Sequence, residues 1–145
     1  MIEWSESHLM MRDMMRKFVE TEIVPHHDAL EHGDMPPYEI IRKLFKHFGI
    51  GDAAQARYAA QKRRETSPED RETAPSGDSG NGGFSAGDTA AMQMLMTSEL
   101  SRYCPGMVTA MGVSMGLTSA AIMRKGTWAQ RDRWALPLLT FETIG

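Results

Sequence analysis

Charge of one sign, cysteine and strand-like alternation are all scarce in this 145-residue chain, and each scarcity removes a class of protein. Sixteen Lys and Arg stand against 19 Asp and Glu, a net charge of −3. Neither a nucleic-acid-binding field nor an acidic tail fits so even a balance. Cys104 is the single cysteine, which excludes an internal disulfide and fits a reducing compartment. The amino terminus, MIEWSESH, carries acid where a targeting segment carries base, so a cytoplasmic location is expected. No stretch of useful length alternates apolar and polar residues, which predicts an all-α fold. Metal chemistry has little to work with. His27 and Glu31 lie four apart on one helical face, but there is no HExxH arrangement and no third ligand at helpful spacing. The expectation is solvated polar residues at a helix end, and no metal. No serine–histidine–acid or cysteine–histidine set emerges from spacing either.

What is present is helical periodicity and methionine. The length suits one domain, able to bury roughly 70% of its unfolded surface. Ten of the thirteen methionines cluster as LMMRDMM, MQMLM and Met107, Met111, Met115, side chains pliant enough to fill irregular gaps or line adaptable apolar pockets. The first helix is predicted from Leu9, Met11, Met14, Met15, Phe18, Val19 and Ile23, with Ser5 or Ser7 as cap and Pro25 as interruption. The second carries Ile40, Ile41, Leu44, Phe45 and Phe48, with Gly49 placed for a left-handed C-terminal cap. From about 55 to 79 the chain turns polar. QARYAAQKRR could form a short basic helix, but the region as a whole is expected to be a flexible polar insertion, too poor in apolar residues to order itself. The GNGGF that follows lacks the flanking strand and helix of a phosphate-binding loop. A third helix is expected from Asp88, a fourth after Pro105, and a fifth from Thr127, where Thr127 and Gln130 form a capping box and Pro137 bends the end.

The fourth helix holds the candidate site. Residues 104–123 contain no charge, long enough for a membrane span. Three glycines, a proline and four hydroxyl side chains weigh against a span, because insertion favours Leu, Ile, Phe and Val. Complete burial within a helical protein is expected instead. Met107, Met111 and Met115 recur every four residues on one face; Gly112, Gly116 and Ala120 do so on the next, about 100° away. A soft stripe beside a nearly bare one makes a slot for a crossing helix or a slender apolar ligand. Mid-helix glycine costs about 1 kcal/mol relative to alanine, so a pair points to a close approach by something.

The C-terminal block ELSRYCPGMVTAMGVSMGLTSAAIMRKGTWAQRDRWALPLLTFETIG resembles the end of the N-terminal helical domain of flavin-dependent acyl-CoA dehydrogenases. The elements are Glu99-Leu100-Ser101-Arg102, Lys125-Gly126-Thr127 with Gln130, Arg131 and Trp134, then Leu138-Leu139, Glu142 and Ile144-Gly145. FVETEIVPHH and KLFKHFGIG are similar as well, whereas the polar stretch before GNGGFS is longer than the family pattern. The resemblance implies that residues 1–145 are one N-terminal helical domain of about five helices, with the β domain and C-terminal helical bundle lying outside this sequence. It implies an FAD-dependent oxidoreductase that forms the α,β double bond of an acyl-CoA thioester, passes electrons to an electron-transferring flavoprotein, and assembles as a homo-oligomer. FAD would be held mainly by the other domains and the catalytic base supplied by them. Joined to the slot, the resemblance makes Val108, Met111, Gly112 and Met115 the expected acyl-binding residues, with no catalytic, cofactor-binding or metal-binding residue in this chain. The alternative is a non-catalytic helical interaction module or accessory subunit.

Overall fold

A computed structural model describes residues 4–67 and 86–145. Among the described residues there are helices and no strands. The helices are α1 (residues 6–31), α2 (Tyr38–Phe48), α3 (Ile50–Thr66), α4 (Ala86–Ser101), α5 (Pro105–Lys125) and α6 (residues 128–139). They belong to two compact units. The first holds the described residues up to Ile40 and those of 86–109; the second holds 41–67 and 110–145.

In the first unit, Ser5 starts α1 as expected. Its Oγ accepts the His8 backbone N–H at 3.4 Å, while His8 Nδ1 accepts the Ser5 N–H at 3.2 Å, a reciprocal capping box. The helix widens into a π turn at Val19–Ile23 and narrows to a 3-10 turn at Val24–His26, where Pro25 sits, before a last α turn at His27–Glu31. A proline has no N–H to give and crowds the preceding turn, so a change of helix type there is its natural expression. α1 packs on α4 through a core that includes Met15, Phe18, Val19, Ile23, Leu95 and Leu100. Asp88 falls in the first turn of α4, which begins at Ala86.

In the second unit, Ile41, Leu44 and Phe45 of α2 are buried. Gly49 turns the chain with φ +61°, a left-handed conformation that glycine adopts without steric cost, and α3 follows at once. Within the expected insertion, QARYAAQKRR does form helix, and α3 is longer than that stretch, so residues 55–66 are ordered and not loop. Its apolar content is small, but Ala54 and Tyr58 are buried and polar side chains tie it to α6. Tyr58 Oη donates to Asp132 Oδ1 at 2.7 Å, Lys62 Nζ to Asp132 Oδ2 at 2.6 Å, and Arg131 Nη1 to Glu65 Oε2 at 2.9 Å. The Trp128 ring joins them, with Tyr58 edge-on at 5.9 Å and the Arg131 guanidinium 4.6 Å from its centre. The rest of the predicted insertion, and GNGGF, lie outside the described residues.

α6 opens on the expected capping box. Gln130 N–H donates to Thr127 Oγ1 at 3.3 Å and Thr127 N–H to Gln130 Oε1 at 2.8 Å. A π turn at Arg131–Ala135 precedes the final turn containing Pro137. The end is a Schellman-type cap: Phe141 N–H donates to Leu138 O at 3.2 Å and Glu142 N–H to Pro137 O at 2.9 Å. Its left-handed position is filled by Phe141, φ 60°, where glycine is usual. The backbone cost is about 1–2 kcal/mol, offset by complete burial of the ring 5.2 Å from that of Phe45.

Candidate functional site

α5 is the apolar helix expected, long and apolar enough by length and composition to cross a membrane. Complete burial is corrected, however. Only 17% of its most apolar 18-residue window is buried, and Leu117 is 71% exposed. Its turns are not uniform either. Gly112–Thr118 is a π turn, closed by Ser119 N–H donating to Ser114 O. The buried residues of this part are Ser114 and Ser119, five apart. An α-helix would separate such positions by roughly 140°; an i→i+5 turn brings them round to one side. Ser119 Oγ donates to Met115 O, which satisfies that hydroxyl internally.

The four expected acyl-binding residues are distributed as follows. Val108 belongs to the first unit and is half-buried. Met111, Gly112 and Met115 belong to the second; both methionines are half-buried and Gly112 is exposed. A Cβ built on Gly112 or Gly116 would meet nothing within 4 Å. The close approach expected at these glycines is therefore not made by any described residue of this chain, and no described helix crosses their face. What the structure brings to the surface is an uncharged strip with an open bare side. A cavity of about 340 Å³ in the second unit is lined by Ala121, Ile122, Lys125, Gly126, Gln130 and Trp134 instead. Another of about 310 Å³ in the first lies against Leu30, Pro37, Cys104 and Met107. Gly126 is sterically required, since a Cβ there would sit 2.6 Å from Ile122 O.

Ionisable groups are engaged in structure. Glu99, 7% exposed, accepts from Arg16 Nε and Nη2 at 3.1 and 2.7 Å and from Arg102 Nη1 at 2.9 Å. The Arg16 guanidinium holds its carboxyl below the usual carboxylate range against the opposing effect of burial, and Arg102 adds to the lowering. An acid so firmly ionised and multiply bonded is a poor proton acceptor at neutral pH. His27 Nδ1 lies 3.5 Å from Asp28, and among the described residues no group of three or more His, Cys, Asp or Glu could hold a metal ion. Sequence reasoning missed His8. It is 6% exposed, and its Nε2 is buried without a hydrogen-bond partner among the described residues, 3.6 Å from Asp88 Oδ1. Because Nδ1 accepts the Ser5 N–H, a neutral ring carries its proton on Nε2. Ser114, Ser119 and the left-handed Phe141 were missed too. No local pattern marks a π turn, and an aromatic residue is an unusual occupant of that cap.

Among the described residues, α5 presents an uncharged, glycine-bearing strip and α6 holds the Asp132 carboxylate in hydrogen bonds to Tyr58 and Lys62. A family model described as acyl-CoA dehydrogenase, N-terminal domain, matches residues 5–59 and 77–142. The chain belongs to the acyl-CoA dehydrogenase family, of which it is the N-terminal domain type. Comparison with curated proteins and with solved structures finds no match. The break in the family match, 60–76, falls within the polar stretch 55–79.

Proposed function

We propose that this domain supplies part of the acyl-binding wall of an FAD-dependent acyl-CoA dehydrogenase, with Val108, Met111, Gly112 and Met115 against the acyl chain. The observation that carries the reading is the open strip of α5. It is free of charge, soft at Met111 and Met115, and bare at Gly112 and Gly116. Such a strip buries a methylene chain without leaving a polar group unpaired, at about 0.8 kcal/mol per buried CH₂. It offers no cation for a dinucleotide's phosphates, so no residue of this chain is assigned to hold FAD. When bound, that group accepts the β-hydride as the acyl α,β double bond forms. The role of this chain is to bind the acyl chain, orient it and exclude water along one side. Glu99 stays an ionised structural group and moves no proton. The base, the cofactor site, reoxidation by an electron-transferring flavoprotein, homo-oligomeric assembly and a cytoplasmic location are all parts of the proposal that rest on family membership.

The test is chain-length preference. In the complete enzyme, Met111→Trp and Gly112→Phe shift kcat/KM from long toward short acyl-CoA by roughly 10–100-fold, the scale of losing or crowding methylenes in an apolar pocket. An unaltered preference in both variants sinks the assignment. A second reading, a helical interaction module without catalysis, is favoured by the same exposure of α5 and by Trp134 at 47%. A purified protein with no flavin absorption and no acyl-CoA binding supports it.

A further inference from the structure

The segment after α6 folds back on α5, and its contacts converge on the π turn. Ser114 is fully buried, and its Oγ accepts the Gly145 N–H at 3.2 Å. Gly145 lies so close to Thr118 that a Cβ there would stand 2.7 Å from Thr118 Oγ1 and 2.9 Å from Cγ2. Ser114 and Thr118 are both members of the Gly112–Thr118 π turn. At the other end the segment is fastened by Phe141, held left-handed and buried on Phe45, and by Glu142 and Thr143 N–H groups donating to Pro137 O at 2.9 and 3.1 Å. The segment is therefore fixed at both ends. One fixing point is the wide turn that carries Gly112 and Met115.

We propose that residues 140–145 form a strap whose Gly145 end, tied to Ser114 and seated on Thr118, holds the π turn of α5 and so sets how Gly112 and Met115 are presented. Ser114, Thr118, Phe141 and Gly145 are then positioning residues; none touches the acyl chain. That they position an acyl wall rests on the reading given above, while the strap itself does not. The physical reason for needing a strap is that an i→i+5 turn is the less favourable winding and persists where something outside the helix supports it. Glycine at 145 lets the backbone approach Thr118; any side chain would have to push the strap away.

Amide hydrogen exchange on the purified chain tests the strap without any activity. Ser114→Ala removes the acceptor, and exchange at Gly145 and at Ser119, whose N–H closes the π turn, rises roughly five- to tenfold. Gly145→Ala produces the same rise, because its Cβ collides with the Thr118 side chain. The strap is overturned if Ser114→Ala and Gly145→Ala leave both amides unchanged. In the complete enzyme, Ser114→Ala is expected to alter the long-to-short acyl-CoA ratio of kcat/KM by roughly tenfold, about the worth of one methylene in an apolar pocket. If the amides respond as described while neither Ser114→Ala nor Gly112→Phe changes that ratio, the strap stands and the acyl-wall reading falls.

Discussion

α3 and the second-unit part of α5 exchange the roles that their compositions would assign. α3 reads IGDAAQARYAAQKRRET, nearly devoid of large apolar residues, yet it is ordered along its whole length and buries Tyr58. α5 is uncharged through residue 123, yet Val113 and Leu117 face outward. Burial follows the partner, not the composition. α6 offers α3 a carboxylate at Asp132 and a guanidinium at Arg131, so a polar helix docks with its hydrogen bonds made. Within the described residues nothing is offered to the bare side of α5, so an apolar helix stays open.

The largest expected effect breaks the docked member of the pair. Tyr58→Ala removes a buried ring, its edge contact with Trp128 and its bond to Asp132 together. Loss of a buried aromatic costs roughly 3–5 kcal/mol, read by chemical denaturation. If polar docking orders α3, helical circular dichroism also falls before the main transition. Tyr58→Phe separates the two contributions, since it keeps the ring and costs about 1 kcal/mol for the hydrogen bond. A Tyr58→Ala protein with unaltered helicity and stability shows that α3 stands without α6.

The same device occurs in the first unit, where pH tests it. Glu99 has its pKa lowered chiefly by Arg16, with burial opposing and Arg102 assisting. A folded pKa below the unfolded one means that this stabilisation is complete above the ordinary carboxylate value of about 4.3. It fades as pH falls from there through the lower folded value. Glu99→Gln should cost about 1–2 kcal/mol at neutral pH. That is less than for a fully buried pair, because the arginine side chains are 41% and 49% exposed. The variant's stability then declines less steeply between pH 5 and 3 than the parent's, to roughly this extent; parallel curves contradict the ionised-cluster account. In the second unit Asp132 is lowered by Lys62 and then Tyr58, so acid loosens α3 in the same direction.

This contrast explains what the sequence makes legible. Features encoded within a turn or two were readable: a serine cap at Ser5 or Ser7, the Thr127 box, Gly49, and the buried stripe Ile40, Ile41, Leu44, Phe45. Each needs only neighbours three or four residues away. Features whose cause lies far along the chain were not. Tyr58 meets Asp132 across 74 positions, and Ser114 meets Gly145 across 31, so neither the ordering of α3 beyond the short helix that QARYAAQKRR suggests nor the π turn is marked by its near neighbours. In the candidate site the uncharged strip was readable as composition. The openness of its glycine face was not, because two glycines in a helix are read as a crossing whether or not a partner is at hand.

The smallest expected effect addresses the open member directly, and its sign is the informative quantity. At Gly112 a Cβ meets nothing within 4 Å, so in the purified chain Gly112→Ala removes only the conformational cost of a helical glycine. Stability should rise by about 0.5–1 kcal/mol, read as a higher thermal midpoint. The π turn does not reverse this, since Gly112 is not in the left-handed region. In the complete enzyme a covering surface or a bound acyl chain occupies that same space if α5 is the wall proposed above. There the added methyl crowds a filled site, costing typically 1–3 kcal/mol and falling hardest on the longest acyl-CoA substrates. A gain in the chain with a loss in the enzyme shows that the bare face of α5 is kept open for an occupant. A gain in both shows that the two glycines are exposed for no steric reason, and leaves α5 as open in the assembled enzyme as it is in this chain.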